Sequence, residues 1–145
     1  MPDLFHSRSA EETKKFGEQL GQKLKAGDVV TLSGELGAGK TTFTKALAKE
    51  MGIKDEIVSP TFILHREYPG LDHIDCWRME EVGEIEKLGL EKMIQEKHVI
   101  VIEWAEKVKK VIKRLRDEGI KVIWIKIGYG DKKNERRMSC EDIGN

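Results

Sequence analysis

The sequence predicts a single layered α/β domain, residues 1–145, with a mixed, mainly parallel central sheet. The chain has 145 residues, which is the length of one domain of ordinary size. Short apolar runs typical of buried strands alternate with segments whose apolar residues recur at helical spacing. Further runs near the middle and at the C-terminal end fit antiparallel strands. This order of elements favours helices packed on both faces of one sheet.

The first half of the chain contains two predicted helices, a buried strand between them and a hairpin. Ser9 and Glu12 form a capping box at the start of the first helix. Gly52 is a C-terminal capping residue for the second helix, and Pro69 and Gly70 mark the hairpin turn. The predicted elements are helix 9–24, strand 28–33, helix 40–52 and hairpin strands 61–68 and 71–77.

The second half of the chain continues the alternation of helices and strands. Gly89 is expected to interrupt a helical segment. The run "VIVIEW" is continuously apolar before its acidic residue, as central parallel strands are. The predicted elements are helical pieces within 79–96, strand 99–104, helix 105–119, strand 120–129 and a final edge strand 136–143.

The composition narrows the class of protein. The 26 basic and 26 acidic residues leave a net charge near zero, which does not indicate a general nucleic-acid or membrane binder. Cys76 and Cys140 lack metal-ligand spacing, as expected for reduced cytosolic thiols. No apolar run approaches the ~18 residues of a membrane span, and the N-terminus lacks signal-peptide character. We therefore expect a soluble, cytoplasmic protein without a membrane partner.

Residues 34–41, "GELGAGKT", fit the P-loop pattern G-x-x-x-x-G-K-[ST] between a predicted strand and a predicted helix. Glycines allow the backbone to turn tightly and direct its N–H groups at a polyanion. The start of the following helix adds unpaired N–H groups and a positive dipole. Lys40 would reach the outer phosphates, and the Thr41 hydroxyl would bind Mg²⁺. The loop therefore predicts a nucleoside triphosphate site in a P-loop NTPase-like three-layer α/β/α domain.

Two acids at strand ends are candidates for the metal and for hydrolysis. Glu103 ends the apolar strand and would bind Mg²⁺ or orient the attacking water, whereas its alternative role is a surface salt bridge. Asp75 ends the strand "LDHID" and is the second candidate, with a turn aspartate as the alternative. Thr61 of "SPTF" could reach the metal or the γ-phosphate, as switch-loop threonines do, although taken alone it would more often start a strand. His73, at a spacing of two from Asp75 on the same strand, could face the site, but taken alone it is more often a structural or surface histidine. Trp104 could stack on a partner or simply pack.

These motifs together resemble the TsaE family, bacterial P-loop ATPases needed for the threonylcarbamoyladenosine modification of tRNA. The family pattern runs G-[DE]-L-G-A-G-K-T-T, S-P-T-[FY], H-x-D-x-Y-R and E-W. Here these motifs read "GELGAGKTT", "SPTF", "HIDCWR" and "IEWAE", and they cover nearly the whole chain. Trp77 replaces the usual tyrosine and Ala105 replaces a frequent proline, so local packing or partner contacts differ there.

The resemblance implies ATP or ADP with Mg²⁺, and work in a complex with TsaB-like and TsaD-like proteins that brings in tRNA indirectly. It implies Thr41 and Glu103 at the metal, and Asp75 supporting hydrolysis. It also implies that Ser9, Thr13 and Arg137 lie near the base. The candidate catalytic residues are Glu103, Asp75 and Lys40, and the candidate metal ligands are Thr41, Glu103 and Asp75. The candidate nucleotide-binding residues are Leu36, Gly37, Ala38, Gly39, Lys40, Thr41, Thr42, Thr61, Ser9, Thr13 and Arg137.

Two other functions share the P-loop. A small-molecule kinase would need an acceptor pocket and usually an arginine-bearing lid, for which the sequence has no long insertion. A nucleotide-sensing adaptor would not need intact catalytic acids. No arginine finger can be assigned, since Arg66 and Arg78 fall in the predicted strand region. The basic segment 107–116 is best explained as an amphipathic helix, with contact to tRNA or an acidic partner as the alternative.

Overall fold

The computed structural model describes residues 4–34, 40–58, 64–130, 132 and 135–142. Its strands are β1 (Leu4–Ser7), β2 (Val29–Gly34), β3 (His65–Tyr68), β4 (Leu71–Asp75), β5 (Val99–Glu103), β6 (Val122–Tyr129) and β7 (Arg136–Asp142). Its helices are α1 (Ala10–Lys23), α2 (Lys40–Glu50), α3 (Glu84–Lys87), α4 (Leu90–Gln95) and α5 (Lys109–Asp117), with a 3₁₀ turn at Ala105–Val108 before α5. Among the described helices, none has the length and apolar character needed to span a bilayer.

The strands form a seven-stranded sheet in the order β1-β7-β6-β2-β5-β4-β3. The inner strands β4, β5, β2 and β6 are mutually parallel. The outer pairings of β3 with β4, β6 with β7 and β7 with β1 are antiparallel. The predicted mixed sheet with a parallel centre is therefore confirmed.

Helices cover both faces of the sheet because successive strand residues alternate between two cores. On β2, Val30 joins the core under α1 and α2, whereas Val29 joins the core under α3, α4 and α5. In the first core the rings of Phe16 and Phe43 lie 5.7 Å apart, between centroids. Helices α1 and α2 approach closely at Gly17, where a Cβ would lie 2.8 Å from the Phe43 carbonyl oxygen. These contacts produce the three layers that the sequence predicts.

Three local predictions about helices and turns are confirmed. Ser9 caps α1, since its side chain accepts a hydrogen bond from the Glu12 backbone N–H. The turn between β3 and β4 contains Gly70 at φ 78°, and Gly89 at φ 94° separates α3 from α4. Each of these features could be predicted because it depends on the residue types at a few neighbouring positions.

One prediction about the strands needs correction, and one strand was not predicted. Strand β7 was expected at the edge of the sheet, but it lies between β6 and β1. The reason is that Leu4–Ser7 forms an unpredicted strand, β1, which pairs with β7 and takes the edge position. A strand of four residues has too short a pattern to be recognised in the sequence.

Candidate functional site

Strand β2 leads into helix α2 at the carboxyl edge of the parallel sheet. Gly34 ends the strand at φ 135°, and a Cβ at this position would lie 1.8 Å from the Ile127 carbonyl oxygen. Only glycine fits there, because both the backbone angle and the neighbouring strand exclude a side chain. Lys40 begins α2. The predicted phosphate-binding residues Leu36, Gly37, Ala38 and Gly39 lie outside the described residues, as does Thr61.

Lys40 is a buried cation between the strand ends and Trp104. Its side chain is 5% exposed, and Nζ donates a hydrogen bond of 3.2 Å to the Gly34 carbonyl oxygen. Nζ also lies 3.7 Å from the centroid of the Trp104 ring, which is a cation–π distance. Burial lowers the pKa of Lys40 below its ordinary value, while the negative charges of Glu103, Glu106 and Asp75 partly offset that effect.

The two candidate acids meet at the same edge, on neighbouring parallel strands. Asp75 and Glu103 are direct register partners, and Leu32 of β2 is the partner of Glu103 on the other side. Both carboxylates are buried, with Asp75 3% and Glu103 4% exposed. One Asp75 oxygen accepts a hydrogen bond of 2.8 Å from the Trp77 backbone N–H. The structure thus brings Lys40, Asp75 and Glu103 to one end of the sheet.

His73 is also a member of this cluster, and the sequence had left open whether it faces the site or is a structural or surface histidine. It is fully buried, and its Nε2 lies 2.6 Å from Glu103 Oε2. Its Nδ1 has no hydrogen-bond partner among the described residues. Since a carboxylate only accepts, Nε2–H donates and fixes the position of the Glu103 side chain. The spacing of two from Asp75 on β4 was the available signal, because it places both side chains on one face.

Trp104 follows Glu103 in a left-handed conformation, with φ 56°. This backbone bend turns its ring over Lys40 and against Trp77, with the two indole centroids 4.4 Å apart. Lys107 Nζ donates a hydrogen bond to the Trp77 carbonyl oxygen. Trp77 is 42% exposed despite these contacts. The two tryptophans therefore form one wall of the site, open to solvent on the Trp77 side.

The residues expected near a base lie by α1, α2 and β7. Thr13, Thr42, Ala10 and Arg136 line a small depression of about 60 Å³. Ser9 is next to it, but its hydroxyl caps α1. Arg137 does not line the depression; it is exposed, and adjacent strand residues point to opposite faces. The placement of Ser9, Thr13 and Arg137 near a base stays a prediction.

Helix α5 has the amphipathic character that its sequence predicts. Val111, Ile112 and Leu115 are buried in the second core, whereas the basic residues lie on the outer side. Arg114 pairs there with Glu86, Glu91 and Glu118. An open cleft of about 370 Å³ between α5 and β6 is lined by Ser33, Glu106, Lys109, Lys113, Arg116, Trp124 and Lys126. The amphipathic character is therefore confirmed, and contact of the basic side with tRNA or an acidic partner stays the alternative.

The sheet order, the two helical layers and the placement of Lys40 at the start of α2, after β2, define a P-loop NTPase-like α/β/α protein. A family model described as "Threonylcarbamoyl adenosine biosynthesis protein TsaE" matches residues 7–138. The chain belongs to the TsaE family.

Similar proteins agree with this assignment. A "tRNA threonylcarbamoyladenosine biosynthesis protein TsaE" from Bacillus subtilis is 38% identical, over 92% of this chain and 88% of its own length. A protein of the same description from Treponema pallidum is 43% identical, over 70% of this chain and 78% of its own length. The crystal structure of Bacillus subtilis YdiB superposes with a TM-score of 0.74 at 32% identity, covering 98% of this chain and 86% of YdiB.

Proposed function

We propose that this protein binds Mg²⁺–ATP at the β2–α2 connection and hydrolyses it during tRNA threonylcarbamoyladenosine biosynthesis. The observation that carries the proposal is the placement of Lys40. A buried cation at the first residue of α2 lies close enough to Glu103 and Asp75 for both charges to affect its pKa. A buried lysine is costly unless it has an anionic partner, and a phosphate group would supply one.

The residues at this edge fit a triphosphate. Lys40 presents a mobile cation that could exchange the Gly34 carbonyl for a phosphate oxygen. The start of α2 offers backbone N–H groups and a positive dipole to the same anion. Thr13, Thr42 and Arg136 line the depression on the α1 side, where we place the base. Leu36, Gly37, Ala38 and Gly39 are proposed to contribute backbone N–H groups, as their motif indicates.

The same edge fits a magnesium ion because it supplies hard oxygen donors. Glu103 and Asp75 provide carboxylates from adjacent strands, and Thr41 provides a half-buried hydroxyl on α2. When bound, magnesium would neutralise charge that develops on the phosphate oxygens. Glu103 would also orient a water molecule, and His73 would hold its carboxylate in place through the hydrogen bond from Nε2. Trp104 would limit water access to Lys40 on one side.

The names of the similar proteins support the pathway part of the proposal. Relatives from several bacteria are described as tRNA threonylcarbamoyladenosine biosynthesis proteins. We propose that hydrolysis drives a complex of TsaB-like and TsaD-like proteins, which would carry out the transfer to tRNA. The clustered residues described above suit phosphate chemistry, and the transfer chemistry is assigned to the partners.

Titration of a fluorescent ATP analogue (mant-ATP) in the presence of Mg²⁺ tests the binding step. We expect the Lys40→Ala variant to lose tight binding, because it lacks the cation that meets the phosphates. Lys45→Ala is the matched control, since Lys45 is an exposed lysine further along the same helix. Unchanged affinity in Lys40→Ala would show that the β2–α2 connection is not the phosphate site.

A further inference from the structure

A second cluster of metal-ligating side chains lies near the amino ends of the parallel strands, whereas Lys40 lies near their carboxyl ends. Glu67, Glu96 and His98 place one ligand atom each within 4.8 Å of one another. Glu67 is on β3, and the other two residues connect α4 to β5. Asp72, beside this cluster, and Asp75 are three positions apart on β4, about 10 Å along a strand. The cluster is therefore separate from the proposed nucleotide site.

A buried carboxylate fixes the orientation of the His98 ring. Asp72 is fully buried, and its Oδ2 lies 2.7 Å from His98 Nδ1. Its other oxygen, Oδ1, lies 2.7 Å from His65 Nε2. Because a carboxylate only accepts hydrogen bonds, both histidine nitrogens donate to it. The proton of a neutral His98 is therefore on Nδ1, and Nε2 presents a lone pair toward the two glutamates.

The spacing of His98 and Glu96 suits a shared metal ion. Nε2 of His98 lies 3.4 Å from Glu96 Oε2. Two ligands of one tetrahedral zinc ion are separated by roughly 3.3 Å, given metal–ligand distances of ~2.0–2.1 Å. The observed separation therefore suits two ligands of one ion.

Glu67 completes the set of ligands. It is the register partner of Asp72 across the β3–β4 hairpin, so the two side chains leave the same face of the sheet. Glu96 also lies 3.7 Å from Lys92, but both of those side chains are exposed, so this ion pair is weak. Within the described residues, Glu67 has no cationic partner in a salt bridge.

We propose that Glu67, Glu96 and His98 bind one borderline divalent cation of the Zn²⁺ class, with water in the remaining position. One imidazole and two carboxylates suit such an ion, and the buried Asp72 supplies the carboxylate–histidine support that metal-bound histidines commonly have. The ion would join the edge hairpin to the start of β5. Its role would be structural, since no nucleotide-site residue takes part.

Calorimetric titration of Zn²⁺ into the nucleotide-free, chelator-treated full-length chain tests this site. We expect one ion per chain, and at least tenfold weaker binding in Glu67→Gln and His98→Asn. Asp72→Asn should weaken binding about 10–100-fold, the usual effect of losing such support. Glu67 is exposed, so its variant should fold normally. Titration of Co²⁺ should give the visible absorption of a tetrahedral or five-coordinate ion.

Two control variants locate the ion. His6 pairs with one glutamate, Glu135, at the other edge of the sheet, so His6→Asn should bind Zn²⁺ as the unchanged protein does. Glu103→Gln should also bind normally, because it alters only the proposed nucleotide site. Absence of Zn²⁺ binding at micromolar concentration would overturn the proposal. Binding lost in Glu103→Gln but retained in Glu67→Gln would overturn it as well.

Discussion

Lys40 is a residue whose burial lowers the stability of the folded protein. Its side chain is almost completely buried, and burial lowers its pKa. The charged form is therefore less favourable in the folded protein than in the unfolded chain. Ionisable groups at binding sites commonly destabilise the unbound protein in this way, because a ligand of opposite charge offsets the cost of burial.

We expect Lys40→Met to stabilise the nucleotide-free protein at neutral pH by about 2–6 °C in the unfolding midpoint. The unfolded chain binds more protons than the folded one between the lowered and the ordinary pKa of lysine. The stability of the unchanged protein should therefore rise with pH through that alkaline window, and the advantage of the variant should shrink. Thermal unfolding at several pH values measures both effects. Lys45→Met, an exposed control, should show neither effect, and a destabilised Lys40→Met would contradict this account.

Glu103 is the residue on which hydrolysis should depend most. Glu103→Gln keeps the shape of the side chain and can still contact His73, but it lacks the charge needed for metal or water. We expect ATP binding within a few-fold of normal and turnover reduced at least ~10²-fold. Glu106→Gln is a control, because Glu106 is a nearby but exposed acid. Phosphate release under single-turnover conditions is the measurement, and surviving turnover would make Asp75 the leading acid.

At the scale of elements, helices α1 and α2 pack closely at Gly17, over the first core. A Cβ at Gly17 would lie 2.8 Å from the Phe43 carbonyl oxygen and 3.0 Å from the Ala46 Cβ. The neighbouring backbone belongs to a helix and cannot shift easily. The close approach therefore outweighs the ordinary preference for alanine in a helix.

We expect Gly17→Ala to destabilise the protein by ~1–3 kcal/mol, which is typical of overpacking, despite a gain of ~1 kcal/mol in helix propensity. Gly83→Ala is the matched comparison. A Cβ there meets nothing within 4 Å, and its backbone is already right-handed, so it should be neutral or slightly stabilising. Urea unfolding of both variants makes the test. Equal stability of the two variants would show that the helices separate at little cost.

At the scale of the whole molecule, the site opens to solvent on the Trp77 side, and no arginine among the described residues is assigned as a finger. Arg66 is exposed on β3, and Arg78 is exposed in the segment after β4. The two tryptophans leave the Trp77 side open to solvent. A site of this kind would be completed by a docked partner, which would couple hydrolysis to assembly.

The isolated protein should therefore hydrolyse ATP slowly, and the TsaB-like and TsaD-like proteins with tRNA should accelerate it. An arginine finger contributes ~10³–10⁵ in rate where one operates, which sets the upper range of the acceleration. The measurement is phosphate release with and without the purified partners. The Lys40→Ala variant is the negative control. Rapid hydrolysis that the partners do not change would indicate an independent enzyme.

Much of the fold was predictable because local patterns determine its elements. Ser9 and Glu12 marked the start of α1, and Gly89 marked the break between α3 and α4. The convergence of Asp75 and Glu103 was also predictable, since carboxyl ends of parallel strands meet at one edge. Strand β1 was missed because its four residues gain their hydrogen bonds from β7, far away in the sequence.

The sequence by itself therefore determined the α/β class, the strand–loop–helix motif and the acids at the ends of β4 and β5, because each depends on spacing along one segment. Only the tertiary structure decided the partners of individual side chains. It paired His73 with Glu103, placed Arg136 and Thr13 around one depression, and gathered Glu67, Glu96 and His98 near the buried Asp72. These relations depend on strand register and on burial, which join residues that no local pattern connects.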